Sequence, residues 1–261
     1  MNSKLIHEKE NTYFVLAVVI SLLTYLALFL SIFGIIYIVI GLLLTLIPHY
    51  ISIAYIRSNA VKLTENQFPD VHQKVMELSR KMEIVKIPDV YIMESAGFLN
   101  AFATRFFGRN FVILYSSIFE LNEENREEEL AFVIAHELAH LKRNHVLKQL
   151  FILPALWTPF LGDAYSRAAE FTCDRMAVAY TGNAAAGVQA LVTLAVGKKL
   201  SYNVNVKDYI YESEKERGFF IWLSQMISTH PPTPTRIKEI EYFQTYPQLF
   251  GYMSEKFESE L

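Results

Sequence analysis

Apolar side chains are concentrated near the start of the chain, where residues 13–56 contain no Asp, Glu, Lys or Arg. A single helix of this length would be roughly twice as long as the bilayer core, which is about 30 Å thick. The pattern therefore predicts two membrane-spanning helices, at about 13–30 and 35–56, with a reversal at Ser31–Gly34. A buried hairpin in a soluble protein is the less favoured interpretation, because so long an uncharged run is rare in soluble folds.

Cations flank this hairpin on both sides and are absent from its turn. Lys4 and Lys9 precede the first helix, and Arg57 and Lys62 follow the second. Lys and Arg are enriched in the cytoplasmic flanks of membrane helices. We therefore expect a two-helix protein of the cell membrane, with both ends of the hairpin and everything after it in the cytoplasm.

The chain beyond the anchor (residues 1–57) has the pattern of one further domain, at 58–261, that is mainly α-helical with a small β-sheet. Apolar residues recur at helical spacing in 69–82. The segments 88–93 and 100–117 have the composition of short strands, the second with a turn signal in its middle. Further helices are predicted at 163–180, 184–198, 218–228 and 233–244. This is an α+β fold class.

Charge and cysteine content limit the possible functions. The net charge is −3 and the isoelectric point is near 6.2, so no basic surface indicates nucleic-acid binding. The acidic run at 123–129 is interpreted as the solvated first turn of a helix capped by Asn122, because acids are favourable at that end. Cys173, the single cysteine, is predicted to be a small buried residue.

The stretch FVIAHELAHLKRNH, at 132–145, carries three of the seven histidines. His136 and His140 are four residues apart, so on a helix they face one side and can share a metal ion. Glu137 is rotated by about 100° from His136, which sets it beside the ion as a base. Two ordinary histidines on a helix face are the alternative. His145 is expected to be a cation near a helix end rather than a ligand.

A third metal ligand has to come from elsewhere in the chain. A catalytic zinc ion usually takes three protein ligands and keeps one position for water. The stretch SRAAEFTCDRMA, at 166–177, offers Glu170 and Asp174 one helical turn apart. One carboxylate can reach the ion while the other accepts the free N–H of a ligand histidine. Ordinary surface ion pairs with Arg167 or Arg175 explain the same spacing equally well.

Four motifs occur in a fixed order: NAFAT at 100–104, HELAH at 136–140, ExxxD at 170–174 and STHPPTPTRI at 228–237. In this order they resemble the HtpX-like and CAAX-prenyl-protease-type family of membrane zinc metallopeptidases. The resemblance extends over about 95–240. It implies a zincin-like metallopeptidase domain of the HExxH type that holds one Zn²⁺ per chain.

The resemblance also implies a role for each matching residue at the metal. His136, His140 and Glu170 would bind zinc. Glu137 would be the catalytic general base. Asp174 would orient one of the ligand histidines from behind.

Outside the metal ligands, the resemblance implies that His230 faces the reaction centre and stabilises the oxyanion, with Arg236 as support for that region. Without the resemblance, His230 is interpreted as a structural histidine in a proline-rich turn. Asn100 and Ala101 would lie at a strand edge where the substrate backbone binds. The segment 110–117 is interpreted either as an exposed edge strand, which would pair with an extended peptide, or as an inner strand.

One segment departs from the family pattern. HtpX-like proteins typically carry further membrane helices between HExxH and the third ligand, whereas only 141–169 separates them here. A single crossing by the apolar stretch 146–162 would put the two halves of the zinc site on opposite sides of the membrane, and two crossings need about 40 residues. This stretch is therefore predicted not to span. It either packs along the domain or rests in the membrane interface, where Trp157 would suit.

The sequence thus predicts a membrane-anchored zinc endopeptidase that acts in membrane-protein quality control or regulated proteolysis. Its expected partners are protein or peptide substrates, above all membrane proteins, and the lipid bilayer. CAAX-type processing of prenylated proteins is an alternative, disfavoured because two helices form little intramembrane chamber. A non-catalytic zinc-containing membrane adaptor is another, disfavoured because an adaptor has no need of the base Glu137.

Overall fold

Two long apolar helices begin the fold. The computed structural model describes residues 3–94, 101–106, 109–122 and 124–252. Helix α1 covers Glu8–Leu30 and α2 covers Gly34–Asn59, and each is long and apolar enough to cross a bilayer. Both predicted helices are therefore present, and that they cross a membrane stays a prediction. Helix α1 starts before the uncharged run because the side chain of His7 accepts a hydrogen bond from the backbone N–H of Lys9.

A four-stranded sheet follows the anchor. Its strands are β1 (Val61–Lys62), β2 (Asp89–Met93), β3 (Ala101–Phe106) and β4 (Arg109–Tyr115). The order across the sheet is β1-β2-β4-β3, with β2 parallel to β4 and the other pairs antiparallel. Strand β4 is therefore internal, and its four central residues are buried.

Two helices belong to this part of the chain, one between β1 and β2 and one directly after β4. Helix α3 covers Pro69–Lys81 and buries Val71, Val75 and Leu78, which confirms the predicted amphipathic helix. Helix α4 covers Ser116–Phe119.

The helix with the histidine motif, α5, covers Glu127–Lys142. The prediction that Asn122 caps it is wrong. The backbone N–H of Asn122 bonds to Phe119 in a turn after α4, and Asn125 adopts a left-handed φ of 56°. The chain therefore cannot enter the helix until Arg126, whose buried guanidinium pairs with Glu129 in the first turn.

Eight further helices complete the described part of the chain. They are α6 (His145–Phe151), α7 (Leu153–Leu156), α8 (Leu161–Thr181), α9 (Ala184–Val196), α10 (Lys198–Ser201), α11 (Val206–Lys215), α12 (Phe219–Met226) and α13 (Thr233–Thr245). The four helices predicted after residue 160 are confirmed. Helices α10 and α11 lie almost entirely between the helices predicted at 184–198 and 218–228.

The apolar stretch at 146–162 does not form a membrane-length helix, as predicted. It folds into α6 and α7. These two helices follow α5, pack along α1 and lead into α8. The hydroxyl of Ser21 on α1 accepts a hydrogen bond from the N–H of Ala155 at 3.2 Å. Because this segment turns back instead of crossing the membrane, α5 and α8 can pack against each other in the main core.

Candidate metal centre

Helices α5 and α8 place the predicted ligands side by side. Helix α5 carries His136 and His140 on one face, and α8 packs against it and contributes Glu170. Nearly every residue of α5 after its first turn is buried, since it lies between the sheet, α8 and α9. The surrounding core therefore restricts the orientation of the ligand side chains.

Ligand atoms from these three residues, one nitrogen from each histidine and both oxygens of Glu170, lie close enough together to share one ion. His136 Nε2 lies 3.2 Å from His140 Nε2 and 3.3 Å from Glu170 Oε2, and Glu170 Oε1 lies 3.2 Å from His140 Nε2. Donor atoms around a tetrahedral ion with bonds of about 2.0–2.1 Å are about 3.3–3.4 Å apart. Within the described residues Glu170 Oε2 has no hydrogen bond, although it is buried. The donor set and its spacing therefore fit a divalent cation.

The electrostatics of the centre favour positive charge between the ligands. Burial alone would lower the pKa of His136, but the carboxylates of Glu170 and Asp174 raise this pKa to about 10. Burial alone would raise the pKa of Glu170, but His136, His140 and Arg236 hold it well below its usual range. At pH 7 the metal-free centre thus holds an imidazolium proton, which a bound divalent cation would displace.

Asp174 lies behind His136, where the family resemblance places it, and Arg236, predicted to support the region of His230, pairs with Asp174 instead. Asp174 Oδ1 lies 2.9 Å from His136 Nδ1, and Arg236 donates to both carboxylate oxygens at 2.7 Å. The fixed carboxylate keeps a proton on Nδ1 and leaves Nε2 for a metal. The alternative of surface ion pairs fails for both acids, because Arg175 pairs with another carboxylate and Arg167 donates to backbone carbonyls.

A relay that sequence reasoning missed orients His140. Its Nδ1 lies 2.9 Å from Nδ1 of His145, and Nε2 of His145 lies 3.2 Å from Oε1 of Glu10. Burial lowers the pKa of His145 to about 4, so this ring is neutral at pH 7. A neutral ring that donates from Nε2 to Glu10 accepts at Nδ1 from His140, which leaves His140 Nε2 for a metal.

The prediction that His145 is a cation near a helix end is wrong. Helix α5 ends at Lys142, and Asn144 turns the chain with a φ of 54°, so that His145 begins α6 and points inward. Its ring is fully buried and lies 3.7 Å from the sulfur of Cys173. Cys173 itself is a small buried residue, as predicted.

Glu10 brings the membrane anchor into the metal centre. Its carboxylate is fully buried, and Oε1 also accepts hydrogen bonds from Arg143 at 2.8 Å and Lys148 at 3.3 Å. The separation of 135 residues between Glu10 and His145 puts this contact beyond any local motif. The one signal in the sequence is an acidic residue shortly before the uncharged run.

Glu10→Gln is expected to weaken Zn²⁺ binding by about 10–100-fold, because an amide orients the relay to His140 less firmly than a carboxylate does. Competition with a colorimetric chelator measures the affinity in detergent. Glu8→Gln is the matched control, since Glu8 is exposed in the same turn of α1. Equal zinc affinity in Glu10→Gln and the control would contradict the orienting role of the relay.

A cleft of about 270 Å³ opens over the three ligands. Glu137 lines it from α5, and His230 lines it from the segment before α13, with Nε2 3.6 Å from Glu170 Oε1. The His230 side chain is 63% exposed, so it can meet a bound molecule. The residues predicted as base and oxyanion donor thus face the same space.

Strand β3 forms one wall of this cleft through Ala101–Ala103. Among the strands of the described residues it is the last of the sheet, with β4 between it and β2. Of the two interpretations of 110–117, the inner strand is therefore correct, and the edge belongs to β3. Ala101 is the first residue of β3, whereas Asn100 lies outside the described residues, so their role in substrate binding stays a prediction.

Comparison with known proteins agrees with this site. The family model described as "Peptidase family M48" matches residues 65–160 and 151–244, well over half of the chain. The chain belongs to peptidase family M48. This membership confirms the family resemblance, the metallopeptidase class and the predicted helical fold with a small sheet. The match lies wholly within the predicted second domain, whose boundaries stay a prediction.

Relatives of this M48 protein carry protease names. It is 28% identical to the plastoglobule-localized metallopeptidase 48 of Arabidopsis thaliana over 70% of this chain, and it spans 59% of that protein's length. It is 25% identical to a protease HtpX homolog of Streptococcus pyogenes serotype M5 (strain Manfredo), over 73% of this chain and 78% of that protein. No solved structure matches the chain.

Proposed function

We propose that this M48 protein is a zinc-dependent endopeptidase whose metal ligands are His136, His140 and Glu170. The observation that carries the proposal is the convergence of these three side chains, since the two ring nitrogens lie 3.2 Å apart and each lies 3.2–3.3 Å from one carboxylate oxygen of Glu170. Two imidazoles and one carboxylate are a common catalytic zinc set and leave a fourth position for water. Imidazole ligands also favour zinc over magnesium or calcium, which prefer oxygen.

The residues of the cleft supply the remaining chemistry. A zinc ion held there would lower the pKa of water to about 7 and polarise the scissile carbonyl. Glu137 accepts a proton from the attacking water and passes it to the leaving amine. His230 donates a hydrogen bond to the oxyanion. That both side chains line the cleft over the ligands supports these roles.

Substrate is proposed to bind as an extended strand along β3. This strand ends the sheet and lines the cleft, so a peptide added at its edge would pass over the metal ligands. Backbone pairing of this kind tolerates many side chains. Such tolerance suits an endopeptidase that cleaves misfolded or selected proteins.

The bilayer is proposed to select membrane proteins as substrates. Helices α1 and α2 meet the length and composition of membrane spans, and Glu10 ties the first turn of α1 to the metal centre. The cations Lys4, Lys9, Arg57 and Lys62 flank the pair, which favours the cytoplasmic side for the cleft. Quality control or regulated proteolysis of membrane proteins suits that location.

The zinc content and its link to hydrolysis test the proposal. Elemental analysis of the full-length protein in detergent is expected to find one zinc per chain. A chelator should abolish cleavage of an unfolded protein substrate, and added Zn²⁺ should restore it. Absence of bound zinc, or cleavage that survives its removal, would refute the proposed function.

Two further arms of this assay separate the alternatives. A farnesylated peptide cleaved in strong preference to its unmodified form would favour CAAX-type processing. Bound zinc without hydrolysis of any substrate would favour the adaptor. The position of Glu137 in the cleft favours the endopeptidase over the adaptor.

A further inference from the structure

Helix α12 is apolar and yet has no buried residue. Its sequence is FFIWLSQM, and Phe219, Phe220 and Trp222 expose 64%, 79% and 50% of their surface. A cluster of large exposed apolar side chains marks an interaction surface. The position of α12 relative to the membrane anchor indicates which partner this surface contacts.

Helices α1 and α8 run antiparallel and side by side. The ring of His7 stacks on Phe171 with centroids 5.1 Å apart, and the ring of Phe14 contacts Tyr165 at 5.6 Å. The first residues of α8 therefore lie alongside the uncharged run of α1. Phe160 directly precedes α8, so it also lies beside the uncharged run of α1.

Trp222 of α12 packs against Phe160, with ring centroids 5.9 Å apart. Tyr13, the first residue of the uncharged run, lines one groove together with Gln225 and Met226. Helix α12 thus lies where α1 enters its uncharged run, which is where a bilayer surface would be.

The segment that contains α6 and α7 also carries large exposed apolar side chains. Phe151 and Trp157 are 70% and 79% exposed. The bond between Ser21 and Ala155 lies about 12 Å along α1 from Tyr13, at 1.5 Å per residue. This segment therefore lies beside the uncharged run of α1, and Phe160 at its end is the residue that Trp222 of α12 contacts.

We propose that α12 is an interfacial helix that buries Phe219, Phe220 and Trp222 in the bilayer surface beside α1. Tryptophan is enriched at this depth, and interfacial helices present Trp, Phe and Leu to the bilayer. The inference rests on the membrane location of α1 and does not depend on peptidase activity.

A membrane contact of α12 would also fix the segment that carries His230. This segment follows α12 directly, and Arg167 of α8 donates hydrogen bonds of 2.7 Å to the carbonyl oxygens of Met226 and Ser228. The end of α12 and the start of the His230 segment are thus held by one guanidinium. Lipid contact of α12 would therefore restrict the position of His230 relative to the cleft.

The two tryptophans of the chain allow a direct test. Trp157→Phe leaves Trp222 as the only tryptophan, and Trp222→Phe leaves Trp157. Each full-length variant is reconstituted into phosphatidylcholine vesicles with bromine near the glycerol end or near the methyl end of the acyl chains. An interfacial helix lies about 5–10 Å into the headgroup boundary, so Trp222 emission is expected to fall about twofold with the first lipid and less with the second.

Trp157 is the depth control, because it lines a groove with Tyr25 and Leu28 of α1. Its emission should fall more with bromine near the methyl end. Quenching of Trp222 by aqueous iodide, with no effect of either lipid, would overturn the proposal. Protection of Trp222 from both iodide and lipid would also overturn it, in favour of a protein that covers α12.

Discussion

Glu137→Gln is expected to lower the kcat of peptide hydrolysis by about 10²–10⁴-fold while zinc stays bound. The amide keeps the size of the side chain but cannot accept the proton of the attacking water. His136 and His140, on either side of Glu137 in α5, keep their partners Asp174 and His145. Steady-state cleavage of an unfolded substrate and elemental analysis of the same sample measure both quantities.

Glu128→Gln is the matched control for this change. Glu128 lies on the same helix but is exposed and does not line the cleft, so activity and zinc content should both stay at the wild-type level. If Glu137→Gln retained full activity, another group would have to serve as the base. If instead it lost its zinc, the fall in activity would say nothing about proton transfer.

Asp174→Asn is expected to lower the free energy of unfolding of the zinc-free protein by about 3 kcal/mol, because it removes the nearer of the two carboxylates that pair with a buried guanidinium. Asp174 is fully buried and receives two hydrogen bonds of 2.7 Å from Arg236. Although burial opposes it, Arg236 keeps the pKa of Asp174 below its usual value. Denaturant unfolding in detergent measures the loss.

The zinc-free state is used because a bound ion stabilises the native form and would mix metal affinity with the ion pair. Asp163→Asn, in the first turn of the same helix, is the control. It should change stability by no more than about 1 kcal/mol, the value of an acid at a helix start. A loss in Asp174→Asn as small as this would mean that the buried pair adds little to the fold.

The parts of the fold and site that are local in the chain could be predicted from the sequence. The uncharged run predicts the two apolar helices, and the four-residue spacing of His136 and His140 predicts that they lie on the same face of α5. Glu170 and Asp174 are one turn apart, so the same rule brings them to one side of α8. Spacing could not decide which of these two carboxylates meets the ligands, and the family resemblance assigned Glu170.

Contacts between distant parts of the chain could not be predicted. Glu10 and His145 meet because α1 packs along α8, and no periodicity encodes how two helices pack. The inner position of β4 depends on its parallel pairing with β2, which strand composition leaves open. The start of α5 was misplaced because a buried ion pair at Arg126, rather than the side chain of Asn122, begins the helix.

The buried carboxylate of Glu10 makes the anchor inseparable from the catalytic unit. Removing both membrane helices by cutting the chain behind α2 would also remove the counter-ion of Arg143 and Lys148, deprive His145 of its acceptor and uncover the face of α8. Such a fragment would lack the apolar anchor, but its metal centre would be impaired. We therefore expect proteolytic release from the anchor to inactivate the enzyme rather than to produce a diffusible protease.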